Sequence, residues 1–353
     1  MSGGVDSSVA AFLMKSSGYN CHGTTMRLYD HENDSSGLHT CCSEKDFEDA
    51  EDCALRLGIP FEVVNYTADF NEKIIEKFIR TYEAGGTPNP CIDCNRYMKF
   101  GKLIEFAKRR GLFYICTGHY ARIEKRDGRF LLKKAVDAAK DQSYVLYSLT
   151  QNQLEHIKFP LGEMTKSEVR ALAEQEGFLN AHKHDSQDIC FVPDGDYEAF
   201  MESYTGKNYP EGDFKFIDGK LAGKHHGAVG YTIGQRRGLG ISYSEPVYVL
   251  DKDMENNIVY VGTENMLYST GLIADDVNWI AIEKLTKPLR VTAKTRYRQK
   301  EFPAEVVPFE NGRFRLDFDE PQRAVTKGQA VVLYQGDIVV GGGTIMEAIG
   351  EKK

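Results

Sequence analysis

One short stretch, Ser2-Gly3-Gly4-Val5-Asp6-Ser7-Ser8, constrains the fold of this chain more than any other. Gly3 and Gly4 let backbone N–H groups approach an anion closely, and Ser7 and Ser8 add hydroxyl donors. Residues 6–17 have helical apolar spacing, so the positive end of a helix dipole faces the same loop. A polyphosphate is the natural ligand for such a loop. It hangs from the end of a buried strand and feeds a helix, which calls for a parallel α/β sheet. The lysine of the G-x-x-x-x-G-K-[ST] loop is missing, so the stretch is not that nucleotide signature.

The chain that follows alternates as such a sheet requires. "NCHGTTMRL" reads as a strand, and a helix with Ser43 at its start runs to Leu57, where Gly58 and Pro60 end it. "FEVVNY" reads as a short buried strand, 70–84 and 94–109 as helices, and "LFYICTG" as a strand. The fold class is α/β with a doubly wound parallel sheet. A hairpin turns at Asp127-Gly128, and helices continue to about residue 203. Residues 210–268 are rich in glycine and short strands, whereas 270–353 alternate short strands with turns such as Glu310-Asn311-Gly312 and Gln335-Gly336-Asp337. The expected domains are a catalytic domain at 1–205, a small mixed domain at 206–268 and a terminal β-barrel at 269–353.

No apolar run approaches the roughly 18 to 20 residues of a membrane span, and the start of the chain lacks a signal-peptide layout. A cytoplasmic protein with no membrane partner is expected. Net charge is −8, which argues against a general nucleic-acid coat but leaves local basic patches open. Charge is segregated: nine acidic residues and one lysine lie between Asp30 and Asp52, while 284–300 hold seven Lys or Arg and no acid. Such a division suits an extended polyanion that touches part of the surface. In "KTRYRQK", Lys294, Arg296, Arg298 and Lys300 alternate, so a strand here would put four cations on one face and Tyr297 on the other.

Eight cysteines, Cys41 and Cys42 among them, are sparse for a disulfide scaffold in 353 residues, so thiol chemistry or metal ligation is the better question. In "TPNPCIDCNRYMKFGKL", Pro88 and Pro90 stiffen a loop and Asp93 is placed to cap a helix beginning near Cys94. A thiol in a first helical turn gains thiolate character, which makes Cys94 a candidate nucleophile; Cys91-x-x-Cys94 equally fits half a zinc site or a redox pair. Cys190 lies in "HDSQDICFVPDGDY", flanked by His184, Asp185 and Asp188, as a mobile-loop thiol or an inert buried one. Replacing a carbonyl oxygen by sulfur needs an activated oxygen, a sulfur donor such as a persulfide, and a thiol that releases the outer sulfur. ATP, Cys190 and Cys94 would fill those needs.

The 2–8 loop resembles the pyrophosphatase loop of enzymes that split ATP into AMP and pyrophosphate. Taken with T-P-N-P-x-x-x-C-N at 87–95, T-G-H-Y-A-R at 117–122, K-D-Q-S-Y at 140–144, D-I-C-F at 188–191, Y-T-I-G-Q-R-R-G-L-G at 231–240 and R-Y-R at 296–298, the whole chain resembles the tRNA-specific 2-thiouridylase family. The resemblance implies that ATP, with Mg2+, adenylates O2 of the wobble uridine of tRNA. It implies that Cys190 carries a persulfide delivered by a cysteine desulfurase or sulfur-relay protein, and that Cys94 ends in a disulfide with Cys190. It implies nucleotide contacts from Ser2, Gly3, Gly4, Val5, Asp6, Ser7, Ser8, Met26 and Gly118. Asn89, Pro90 and Cys91 would approach the target base, and His119, Lys140, Asp141, Gln142, Arg296, Tyr297 and Gln329 would contact tRNA. Some members have Asp where this chain has Cys91, with an acid/base role that a thiol does not reproduce. Cys91, Cys94 and Cys190 are also a potential ligand set for an iron–sulfur cluster. In this family the loop follows a central first strand, which is expected to be missing from the chain as given. Competing readings are an ATP-dependent amide- or guanidino-forming synthetase, which needs neither Cys94 nor Cys190, and a non-catalytic RNA-binding or iron–sulfur protein.

Overall fold

A computed structural model describes residues 1–29, 44–183, 189–192 and 195–350. Ser43, Cys41, Cys42, His184, Asp185 and Asp188, and the start of the acidic stretch, lie outside the described residues. The chain divides into two compact units. Unit 1 comprises 1–75, 90–195 and 337–339, and unit 2 comprises 76–89, 196–336 and 340–353.

In unit 1, helix α1 (Val5–Ser16) follows the loop, strand β1 (Gly23–Arg27) comes next, and helix α2 (Glu44–Leu57) leads to strand β2 (Phe61–Asn65). β1 and β2 pair in parallel, Gly23 opposite Phe61. Strands β3 (Ile115–Cys116) and β6 (Ile157–Lys158) form a second parallel pair. Among the described residues the two pairs are not hydrogen-bonded to each other. Thr25 Oγ1 donates to the Met1 carbonyl at 2.8 Å, which sets Met1 beside β1. The core beneath the loop is apolar: Val5, Val9, Cys53, Leu161, Val169 and Phe178 are all buried.

β2 departs from the expected buried strand. Among the described residues it pairs on one side only, and Val63 is 42% exposed. The expected hairpin is present as β4 (Ala121–Arg126) and β5 (Arg129–Lys134), with Asp127 and Gly128 at φ 50° and 79°, the left-handed pair of a tight two-residue turn. The helix expected from Cys94 begins earlier, at Pro90, and runs through wide π-type turns at Cys94–Lys102 into Leu103–Arg109. Proline is favoured at a first helical position because it has no N–H to leave unpaired.

Unit 2 holds a small sheet and a barrel. Strands β7 (Gly212–Phe216), β8 (Leu221–His225), β9 (Tyr248–Asp253) and β10 (Ile258–Gly262) form the order β8-β7-β10-β9 around buried Phe214, Val249 and Val259. Strands β11 (Tyr268–Trp279), β12 (Leu289–Lys294), β13 (Phe302–Pro308), β14 (Phe314–Arg323), β15 (Ala330–Gln335) and β16 (Ile338–Ile349) follow in the order β11-β14-β13-β12-β15-β16. Pairing of β16 with β11 closes them into a six-stranded barrel, and alternate residues fill its interior with Leu272, Val291, Val306, Leu316 and Leu333.

Candidate active site

The 2–8 loop leads into the start of α1 and is held from below. Gly4 caps α1 in an extended conformation (φ −92°, ψ 156°) without any side-chain cap, so the first-turn N–H groups of α1 have no side-chain acceptor. Ser7 Oγ accepts from Ser2 N at 3.1 Å and donates to the Gly4 carbonyl at 2.9 Å, which closes the loop on itself. Gly3 is left-handed (φ 66°), and a Cβ there would lie 2.4 Å from the Asp46 carbonyl. Asn180 Nδ2 donates to Gly3 O at 3.0 Å and to Ser8 Oγ at 2.9 Å.

Two lysines that sequence reasoning missed organise the charges. Lys166 Nζ bonds both carboxylate oxygens of Asp6 at 2.8 Å, and Tyr120 OH donates to Asp6 Oδ1 at 2.8 Å. Lys166 is the first residue of a helix, Lys166–Gln175, whose start is fixed by a capping box between Thr165 and Glu168. Lys183 Nζ spans Asp46 at 2.7 Å and Asp49 at 2.6 Å and reaches the Gly3 carbonyl at 3.3 Å. Tyr120 lies within the T-G-H-Y-A-R motif and Thr165-x-x-Glu168 is a visible capping signal. Their meeting with Asp6, 114 and 160 residues away in sequence, has no local signal.

Gly118 has a packing reason to be glycine: a Cβ would lie 2.6 Å from the Asp6 main chain. Met26 is half-buried in β1. His119 is 8% exposed between the rings of Phe100 (5.6 Å) and Phe159 (5.8 Å), with Nδ1 bonded to Thr117 Oγ1 at 2.7 Å. Burial, with a smaller push from Lys99, holds its pKa well below the usual histidine range, so the ring is neutral. Asp141 binds the N–H groups of Ala135 and Ser143, and Gln142 Oε1 accepts from Tyr120 N at 2.8 Å. These two side chains fasten the loop after Lys140 to Tyr120, just before β4, and to Ala135, just after β5.

The thiols are arranged differently from the expectation. With the helix starting at Pro90, Asp93 is itself helical (φ −64°, ψ −40°) and makes no side-chain cap. Cys91 therefore occupies the first turn, exposed, and Cys94 lies one turn further in at 9% exposure. Asn95 Nδ2 donates to the Val145 carbonyl at 3.0 Å and anchors this helix. Phe191, next to Cys190, packs edge-on against Phe70 at 5.8 Å, and the turn Pro90–Asp93 packs on Asn71–Ile75. Both thiols therefore belong to the surroundings of one helical segment. Cys94 is buried and Cys190 half-buried. Among the described residues no group of three His, Cys, Asp or Glu side chains is placed to hold a metal ion.

In unit 2 the predicted cationic strand is not a strand. β12 stops at Lys294, where its pairing with β15 ends, and the chain turns. Thr295 donates from N and Oγ1 to Gln299 Oε1 at 2.9 and 2.8 Å, and Gln299 N closes on Arg296 O at 3.2 Å. The alternation is lost. Tyr297, Arg298 and Lys300 are exposed together, Lys294 lies over the Tyr334 ring, and Arg296 Nη2 donates to Ala324 O at 2.5 Å. Gln329 Nε2 donates to Thr87 O at 3.0 Å, and Thr87 N to Lys327 O at 2.8 Å, which clamps the chain just before Asn89.

Three family models cover the chain in order. A tRNA methyl transferase HUP domain matches 1–194, a tRNA methyl transferase PRC-barrel domain 198–263 and an aminomethyltransferase beta-barrel domain 269–345. The tRNA-specific 2-thiouridylase MnmA 1 of Caldanaerobacter subterraneus subsp. tengcongensis is 49% identical over 99% of this chain and 97% of its own length. The enzyme of that name from Acetivibrio thermocellus is 49% identical over 98% and 97%, and that of Clostridioides difficile 48% identical over 99% and 97%.

Proposed function

The chain belongs to the tRNA-specific 2-thiouridylase family and forms 2-thiouridine in tRNA, and we propose that it does so at the wobble uridine, with ATP activating O2 and Cys190 and Cys94 moving the sulfur. The observation that carries this reading is the extent of the likeness: 49% identity over 99% of the chain. ATP phosphates would lie on the uncapped N–H groups of α1, with Asp6 oriented by Lys166 and Tyr120. Mg2+ would come with the phosphates. No step is assigned to an iron–sulfur cluster.

The sulfur step balances as follows. The terminal sulfur of a Cys190 persulfide attacks C2 and displaces AMP. The Cys94 thiolate then attacks Cys190 Sγ, so the S–S bond breaks, a Cys94–Cys190 disulfide forms, and the released sulfur stays on C2 as the thione. A dithiol reductant returns both cysteines to thiols for the next turnover. The persulfide comes from a cysteine desulfurase or sulfur-relay protein, in the cytoplasm; among the described residues no helix is long and apolar enough to cross a membrane.

Nucleoside mass spectrometry of tRNA incubated with protein, ATP and a persulfide source tests this. Wild type yields 2-thiouridine at the wobble position, whereas Cys190→Ser and Cys94→Ser yield none. Cys53→Ser, in the apolar core under the loop, stays active and loses only stability. Full thiolation by either of the first two variants would overturn the persulfide route, whereas AMP and pyrophosphate formation by wild type without any thiolated nucleoside would favour the synthetase-type alternative.

A further inference from the structure

The motif Y-T-I-G-Q-R-R-G-L-G at 231–240 has no part in the chemistry above, yet its second half, from Arg236, lines an open hollow of about 420 Å³ within unit 2. Arg236, Gly238, Leu239 and Gly240 line one part, and Tyr243, Ser244 and Glu245 line another. The loop is preorganised. Gly234 N donates to Val249 O at 2.8 Å, Val249 N to Gln235 O at 3.0 Å, and Gln235 Oε1 accepts from Thr232 N at 3.0 Å. Gly234, Gly238 and Gly240 are left-handed (φ 86°, 78° and 64°), so this backbone path is open to glycine and closed to most other residues. Arg236 is exposed and, among the described residues, has no ion-pair partner; the same holds for Glu245. Tyr243 is 55% exposed, and its ring meets Phe216 at 4.8 Å, which fixes its orientation.

The geometry points to a subsite for one unpaired nucleotide of the tRNA substrate, away from the base being thiolated. The hollow is open to solvent and has room for one nucleotide to lie against its rim. A nucleotide gives each wall its complement: phosphate for Arg236, a base face for Tyr243, and an exocyclic amine for the Glu245 carboxylate. A bare anion would face Glu245 unfavourably, and an apolar peptide would leave Arg236 and Glu245 unanswered. Within double-helical RNA the base faces are stacked and unavailable, so the nucleotide is one that stands out of a helix. This inference rests on tRNA being the substrate.

The test uses the full chain carrying Arg236→Ala, Tyr243→Ala or Tyr243→Phe. All three replace exposed side chains, and thermal melting verifies folding. We expect Tyr243→Ala and Arg236→Ala each to weaken tRNA binding and raise KM for tRNA roughly tenfold, as loss of one stacked base or phosphate contact does, while Tyr243→Phe stays near wild type. kcat and KM for ATP stay unchanged. Chemical probing of the bound tRNA shows one looped-out nucleotide protected by wild type and exposed with Tyr243→Ala. Unchanged tRNA affinity and protection in both alanine variants would overturn the proposal. So would a second equivalent of AMP, seen by equilibrium dialysis and lost in Tyr243→Ala with tRNA binding intact, since the site would then serve a free nucleotide. Wild-type protein that binds tRNA through these residues without thiolating it would overturn the activity while supporting the subsite.

Discussion

Asp6 shows how a residue legible in the sequence depends on partners that are not. Its carboxylate is oriented by a lysine whose side chain is 11% exposed, so removal of Lys166 leaves a half-buried charge with only Tyr120. Lys166→Met should lower ATP–pyrophosphate exchange by about tenfold or more through misplacement of the loop, with tRNA affinity unchanged in a direct binding titration. His119 gives a pH signature. In the unfolded chain it takes up a proton near 6.5, whereas burial keeps it neutral in the fold well below that. The unfolded state therefore binds more protons in acid, so this residue's contribution to stability is present above about pH 6.5 and is lost as pH falls below it. Urea midpoints measured between pH 7 and pH 5 should fall less steeply in His119→Asn, even though that variant is less stable at pH 7. An unchanged slope would mean that the ring is protonated in the folded protein.

At the scale of elements, the two glycines of the loop are not equivalent. Gly3 is left-handed and its Cβ would meet the Asp46 carbonyl at 2.4 Å, while Gly4 has an ordinary extended conformation and would meet only Ser2 Oγ at 3.6 Å. Left-handed backbone costs a non-glycine residue about 1–2 kcal/mol before any clash is counted. Gly3→Ala should therefore melt several degrees lower and lose ATP binding, and Gly4→Ala should melt like wild type. Calorimetry on the two variants would separate them. The helix after Asn89 teaches the complementary lesson. Reading Asp93 as a cap put Cys94 in the first turn, although Pro90 carried the better start signal, and in the structure the first turn holds Cys91 while Cys94 lies one turn further in. Cap signals one turn apart compete, and the packing of the first turn on Asn71–Ile75 settles the competition.

For the whole molecule the substrate polyanion is tRNA, and we propose that the exposed cations of the turn at 295–300 meet it. Arg296 Nη2 donates to the carbonyls of Arg323 and Ala324, while Arg298 and Lys300 are exposed, so these two are the cations a single substitution tests most directly. Arg298→Ala should weaken tRNA binding and flatten its salt dependence by about one unit of log K against log salt, with ATP affinity unchanged. A salt slope equal to wild type in the double variant Arg298→Ala, Lys300→Ala would return this turn to a solvated surface. The amino-acid sequence alone determined the parallel α/β class, the tight hairpin at Asp127-Gly128, the barrel of alternating strands, and the Gly-rich loop that leads into the first helix. Those features are set by local backbone preference and by periodicity, which act over a few residues. The tertiary structure alone decided that Lys166 and Tyr120 grip Asp6, that Lys183 bridges Asp46 and Asp49, that His119 is neutral, and that the basic segment is a turn. Those outcomes depend on which distant groups share a desolvated space, where a charge must find its partner or be lost, and no local pattern encodes that meeting.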